Sequence, residues 1–237
     1  SALPSVPRAW LLLIFGFVLH PAGPAQGQTL GDSSPNVYGT GLGGTIALTN
    51  SGFGLGGYYQ RAVGPTTSLV LELSITPGKD EREVTFFDLF GRRSIPNKFN
   101  YLLTLPLQVG WQRRLFQEDI EDNFRPYVQV SGGPVLGYRY PYFDDVDGDG
   151  QRTGEEPILD IFRSLPRGAL EIGVSGALYL GAHFGLSRRV TQGLRIGYAV
   201  TYFPEGIQVL EPALRGPQRV FATPTLSLTF GRLFPPS

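Results

Sequence analysis

Between Phe99 and Trp111 the chain reads FNYLLTLPLQVGW. Every second position is apolar: Phe99, Tyr101, Leu103, Leu105, Leu107, Val109 and Trp111. The intervening residues, Asn100, Leu102, Thr104, Pro106, Gln108 and Gly110, are mostly small or polar. Side chains alternate across a strand with period two, so this spacing predicts a strand with two unlike faces. The stretch ALEIGVSGALYLGAHFGLS, from Ala169 to Ser187, repeats the pattern. Leu170, Ile172, Val174, Leu178, Leu180, Phe184 and Leu186 fall on one side, and Glu171, Gly173, Ser175, Tyr179, His183 and Ser187 on the other.

Shorter alternations surround Leu69–Ile75, Val128–Tyr138 and Leu194–Tyr202, and a last one sets Leu226, Leu228 and Phe230 against Thr225, Ser227 and Thr229. With two Gly-rich strands at 37–49 and 52–63, the pattern predicts eight strands. The connectors alternate in length. They are short near Pro65 and near Thr191–Gly193, and long at 77–98, 141–167 and 205–219. Only the short link at 50–52 breaks the alternation, and 116–124 is longer than a usual tight turn. Short and long links in turn are what an up-and-down barrel places on its opposite ends.

Such a barrel is either soluble, with its apolar face inside, or membrane-embedded, with that face outside. The weaker face separates the two. On the outside of a soluble barrel it would carry many Lys and Glu. Here it carries Gly, Ser, Thr, Ala and Gln with scattered charges, namely Glu72, Arg114, Arg125, Arg139, Glu171 and Arg195. The apolar face is long and has Tyr, Phe and Trp near its ends, as at a boundary between hydrocarbon and water. Strands of about 9–11 residues cross a tilted bilayer, and several runs reach that length. In hydrocarbon no backbone amide can stay unpaired, so a spanning sheet must close on itself. The expectation is an all-β protein, an eight-stranded antiparallel up-and-down transmembrane β-barrel.

The start of the chain fits export. Arg8 precedes an apolar run from Trp10 to Leu19, followed by Pro21, Pro24, Ala25 and Gly27. This is the layout of a secretory signal peptide, and the run is too short for a membrane-crossing helix, which needs about 20 residues. The expected organisation is a signal peptide at 1–27, a periplasmic linker at 28–36 and the barrel at 37–234. Cys is absent, which excludes disulfides and thiolate metal sites. Formal net charge is zero, which gives no general attraction to nucleic acid. Lys occurs only at 79 and 98, and Gly reaches 32 residues, as suits a β protein with many tight turns.

Taken together, the leader, the eight amphipathic strands, the short and long links and a last strand ending in Phe234 resemble the small eight-stranded outer-membrane β-barrels of double-membraned bacteria. This is the class of the membrane domain of outer-membrane protein A. The resemblance spans about residues 37–234 and is one of architecture. It implies an outer-membrane location with both termini periplasmic, contact with outer-membrane lipid, and delivery by the barrel-assembly machinery. Members of that class usually stop at a terminal aromatic, whereas Pro235, Pro236 and Ser237 follow here.

One stretch carries recognisable ligand chemistry. In DDVDGDGQRTGEE, residues 144–156, Asp145, Asp147, Asp149, Gly150 and Glu156 occupy positions 1, 3, 5, 6 and 12 of a calcium loop. The carboxylates would supply hard oxygen ligands, Gln151 a backbone carbonyl and Gly150 the bend. Arg152 stands where such loops carry an apolar residue, no helical pattern flanks the loop, and there is no second copy. A calcium sensor works by moving helices, so the expectation is instead a loop braced by calcium between strands five and six. The competing reading is a solvated Asp-Gly loop that binds nothing.

Other candidates are weaker. His183 is the one histidine after the leader, and alternation points it inward with Tyr179 and Ser187. A lipid hydrolase would need a nucleophile within hydrogen-bond reach of it, and residues four apart on a strand do not meet. A polar filler is the expected role. Glu72 and Glu171 are expected to pair with Arg125, Arg139 and Arg195 inside a barrel narrow enough to be filled by its own side chains. GTGLGG, residues 39–44, lacks the helix and Lys of a phosphate loop and reads as close backbone approach. The sequence thus points to a non-enzymatic structural or surface-interaction protein. A narrow pore for small solutes is the alternative, and a lipid-modifying hydrolase using His183 a further one.

Overall fold

The computed structural model describes residues 40–87, 93–117, 120, 123–153, 156–185, 190–213 and 216–234. The leader at 1–27, the linker at 28–36 and the residues after Phe234 lie outside them, as do Leu186 and Ser187. Eight strands make the barrel: β1 Thr40–Thr49, β2 Gly52–Ala62, β3 Thr67–Gly78, β4 Asn100–Arg114, β5 Phe124–Pro141, β6 Ala169–Phe184, β7 Val190–Ile207 and β8 Gln218–Phe234. Each pairs antiparallel with its neighbours in sequence, and β1 closes on β8 from Thr40↔Phe234 to Thr49↔Thr225. The expected eight-stranded up-and-down barrel is therefore what the chain forms. Closure leaves no edge, so the ladder pairs the backbone of every barrel strand on both sides.

The faces fall as the alternation predicts. Leu71, Val109, Ile172, Leu178, Ile196 and Leu228 stand exposed on the outer wall, while Glu72, Gln108, Gln129, Ser175, Arg195 and Ser227 are buried inside. A band of Leu, Ile and Val facing outward around a closed sheet is a lipid-facing surface, because in water it would expose far more contiguous apolar area than a soluble monomer carries. Strands of 10 to 18 residues are long enough to cross, and the longer ones project beyond the bilayer. Among the described residues no helix is long and apolar enough to span.

Both ends of the described chain and the links 63–66, 115–123 and 185–189 share one end of the barrel, called the turn end below. The links 50–51, 79–99, 142–168 and 208–217 share the other, the loop end. Two expectations need correction. Thr191–Gly193 is no turn, since β7 already starts at Val190. Thr191 is buried inside the barrel beside His183, and Gly193 leaves room for the same ring, so a polar and glycine signal that reads as a turn is an interior lining. The acidic loop is also flanked by a helical turn, α1 (Ile161–Ser164), continued by a 3-10 turn at Leu165–Arg167. Asp160 caps it by accepting from the amides of Phe162 and Arg163. At one turn it is too short to leave a 3.6-residue pattern. A two-residue ladder between Phe86–Phe87 and Arg93–Ser94, within link 79–99, has no sequence signal either.

Candidate functional site

The barrel interior is divided along its axis. In the half toward the turn end, Arg195 Nη1 donates to Glu72 Oε2 at 2.9 Å, and Nη2 closes a second contact to Oε1. Both side chains are buried, and the guanidinium lies over the Tyr179 ring, 4.3 Å from its centre. A bidentate fork of this kind suits a planar guanidinium opposite a carboxylate. Tyr58, Tyr127 and Tyr179 enclose the pair. Each stands directly across the ladder from a glycine: Tyr58 from Gly43, Tyr127 from Gly181, Tyr179 from Gly197. A Cβ on Gly43 would come within 2.6 Å of the Tyr58 ring, so the close approach expected of GTGLGG is the space an interior tyrosine occupies.

Other polar groups of the interior also pair. Gln108 donates to Ser175 Oγ at 3.1 Å and accepts from Ser131 Oγ at 3.0 Å, and Gln60 donates to Ser68 at 3.1 Å. Nearer the loop end Arg139 donates to Glu171 at 2.9 Å, and at the turn end Arg125 reaches the Gly185 carbonyl at 3.0 Å. The expected interior ion pairs are thus Glu72–Arg195 and Glu171–Arg139. His183 points inward as expected, between Gln112 at 3.1 Å and Thr191 at 3.1 Å, with its ring stacked on Tyr127 at 4.6 Å. A cavity of about 50 Å³ at the turn end is lined by these groups with Arg114 and Arg125.

Further along the same strands the interior turns apolar. Leu102, Val135, Phe203, Ile207, Val209 and Phe221 form one buried cluster. Phe203 and Phe221 meet edge to face at 5.8 Å. The order along β5 shows the change: Arg125, Tyr127, Gln129 and Ser131 come first, then Val135, with the partly exposed Arg139 beyond it near the loop end. Along β7 Arg195 precedes Phe203 and Ile207.

Above this cluster the long links fold together into a cap. The Val209 carbonyl accepts from the amides of Phe99 and Asn100 at 2.9 and 3.1 Å, and the Asn97 carbonyl accepts from Glu211 at 2.9 Å. The Phe99 carbonyl accepts from Tyr142, whose own carbonyl accepts from Leu159. Lys98 Nζ donates to Glu83 at 2.9 Å in a buried pair and sits 4.9 Å from the centre of the Tyr101 ring. A cavity of about 300 Å³ opens there, lined by Lys79, Glu83, Lys98, Tyr101, Tyr140 and Tyr142. Both lysines of the sequence line it. Sequence reasoning missed this cap because loops carry no period; the usable signal was the placing of both lysines in one long link.

The acidic loop is folded against the cap. Carboxylate oxygens of Asp145, Asp147 and Asp149 lie within 4.8 Å of one another. Asp145 accepts from Gly148 at 2.9 Å and Gly150 at 3.1 Å, and both glycines hold positive φ, at 75° and 71°. Glu156 is buried and accepts from the amides of Val146 at 3.0 Å and Thr153 at 2.8 Å. Gln151 donates its amide to Asp149 at 2.7 Å, and the amide of Arg152 donates to Glu211 at 3.1 Å, tying this loop to link 208–217. Three converging carboxylates are a donor set that fits a hard cation such as calcium. The fourth carboxylate, Glu156, is engaged with the backbone of its own loop.

The fold is a small eight-stranded transmembrane barrel. No family model matches the chain, and neither does any curated protein. Among solved structures it is similar to Neisserial surface protein A, at 11% identity and a TM-score of 0.44 over 82% of this chain and 96% of that one. It is likewise similar to the outer membrane protein OprG from Pseudomonas aeruginosa, at 13% identity and a TM-score of 0.42 over 86% and 99%. A third is Ail, the attachment invasion locus protein of Yersinia pestis, at 12% identity and a TM-score of 0.37 over 82% and 96%. These are likenesses of fold.

Proposed function

We propose that this chain is an outer-membrane barrel of a double-membraned bacterium with a structural or surface-interaction role, and no catalytic centre. Its partners are outer-membrane lipid and, during biogenesis, the barrel-assembly machinery. The turn end, where Thr40 and Phe234 lie, faces the periplasm, and the loop end faces outward. The observation that carries this reading is the pairing of a filled interior with one interlocked cap: the Glu72–Arg195 fork and the Phe203 cluster occupy the bore, while the long links pack on each other at one end. A pore needs a continuous wet path, and an eight-stranded barrel has room only for its own side chains. Arg195 and Phe203 stand one beyond the other along that bore, so passage would require both to move. His183 serves as a filler between Gln112 and Thr191.

Calcium braces the loop at 145–156 in this reading, held by Asp145, Asp147 and Asp149, with Gln151 and Glu156 completing or framing the site. The ion would supply charge neutralisation that lets the three carboxylates converge. Weak affinity suffices outside a cell, where calcium is plentiful. The test of the role is conductance in planar bilayers. The filled barrel gives no stable current steps; reproducible steps scaling with salt would replace this reading with the narrow pore.

A further inference from the structure

The helical turn that the sequence hid occupies a distinctive place. It leaves the cap and runs along the outer wall of β5 rather than over the bore. The Leu165 carbonyl accepts from the hydroxyl of Tyr138, and Gly168 lies so close to the Tyr138 ring that a Cβ there would come within 2.3 Å of it. Tyr138 belongs to the lipid-facing set, pairs with Leu170 across the ladder, and has Leu136 and Ile172 directly below it. On its other side the turn is fixed by Ser164, fully buried, whose hydroxyl donates to the Pro141 carbonyl. Two pins therefore hold it at the rim of the apolar belt.

What it presents from that rim is apolar. Phe162 is 85% exposed and Ile161 52% exposed, side by side, while Leu170 and Ile172 continue the surface downward. The exposed Arg163 lies next to them and is paired to Asp160 at 3.6 Å. Phe and Ile with an adjacent guanidinium are the composition of a segment lying in the boundary between acyl chains and phosphates.

We infer that α1 is an interfacial foot: Ile161 and Phe162 insert into the outer boundary of the bilayer that the barrel spans, with Arg163 among the lipid phosphates. The occupant is lipid, because the surface is continuous with the lipid-facing wall through Tyr138 and Leu170. The foot anchors link 142–168 to the membrane at one point, so the acidic loop upstream of it is held at a fixed height. The inference rests on the membrane-spanning reading.

The chain contains no Cys, so single cysteines can be labelled cleanly. Nitroxide labels at Phe162→Cys, Leu178→Cys and Val146→Cys, each in barrels reconstituted into phosphatidylcholine vesicles, report depth through collision with oxygen against a water-soluble nickel chelate. Leu178 is exposed on the wall and Val146 is 78% exposed in the acidic loop. The label at 162 is expected to show an oxygen-to-chelate ratio several-fold above that at 146 and below that at 178. A ratio at 162 equal to that at 146, with 178 still in lipid, overturns the foot alone. A label at 178 that collides freely with chelate overturns the membrane reading itself. Dipolar broadening between labels at 162 would assign the patch to a second copy of the chain and also overturn the lipid foot.

Discussion

The two halves of the bore reach the same result by opposite chemistry. Toward the turn end the space is filled by charge and tyrosine, centred on Glu72, Arg195 and Tyr179. Toward the loop end it is filled by Phe203, Ile207, Phe221 and their neighbours, and the Arg139–Glu171 pair at that end is partly exposed rather than buried. A buried ion pair is a weak source of net stability, because desolvation offsets most of the attraction. It does fix register, since the fork forms only when β3 and β7 meet at one rotation around the barrel. The apolar cluster makes the reverse contribution: it stabilises through burial and tolerates small shifts. The polar half therefore specifies the closed barrel, and the apolar half supports the cap above it.

The comparison is broken most strongly by Arg195→Ala. It strands the Glu72 carboxylate, and unfolding in urea from vesicles should show a loss of roughly 3–5 kcal/mol. The double variant Glu72→Gln/Arg195→Gln should recover most of that loss; failure to recover would mean that the pair is not the organising contact. Phe203→Ala comes next, at roughly 3 kcal/mol from lost burial and a cavity that the rigid wall cannot close. Its conductance should stay at baseline because the Arg195 fork still blocks the bore. Current steps in that variant would show that the apolar half alone seals.

Lys98→Ala tests the cap rather than the bore. Glu83 loses its cation but keeps the Asp80 amide, and the links can open to water, so the cost should be roughly 1–2 kcal/mol. Proteolysis within 79–99 should accelerate while the heat-modifiable barrel band persists. Removing calcium should have the smallest effect. A bound ion would order only the loop at 145–156, so the unfolding of the barrel itself should not move. Chelator should raise cleavage near Asp147 in the parent and change nothing in Asp147→Ala. Equal cleavage with and without chelator in the parent would remove calcium from the account.

Legibility in the sequence followed periodicity. Leu69 to Ile75 and Tyr101 to Trp111 announce strands and faces, and the count of eight follows from them. Glu72 and Arg195 could be placed inside by parity, but they are 123 residues apart, and the pairing became specific only with the register of the ladder. The same holds for Tyr58 over Gly43, where neither residue alone signals the other. The acidic loop was read from its spacing; Asp145, Asp147 and Asp149 lie together, while Glu156 turns to the backbone of the loop. The cap and the foot at Phe162 left no periodic trace, because they depend on contacts of links that carry no repeat, and the Lys98–Glu83 pair showed only as two lysines placed in one long link. Where polar residues lined the bore at Thr191 and Gly193, composition pointed to a turn that is not there.

The central claim is that the leucine-rich wall faces lipid. The most direct measurement dilutes urea-unfolded chain into buffer with or without phosphatidylcholine vesicles and follows far-ultraviolet circular dichroism and heat-modifiable migration. Sheet signal and a shifted band are expected with vesicles, and only aggregate without them. A monomer with the same sheet signal in plain buffer would contradict the claim.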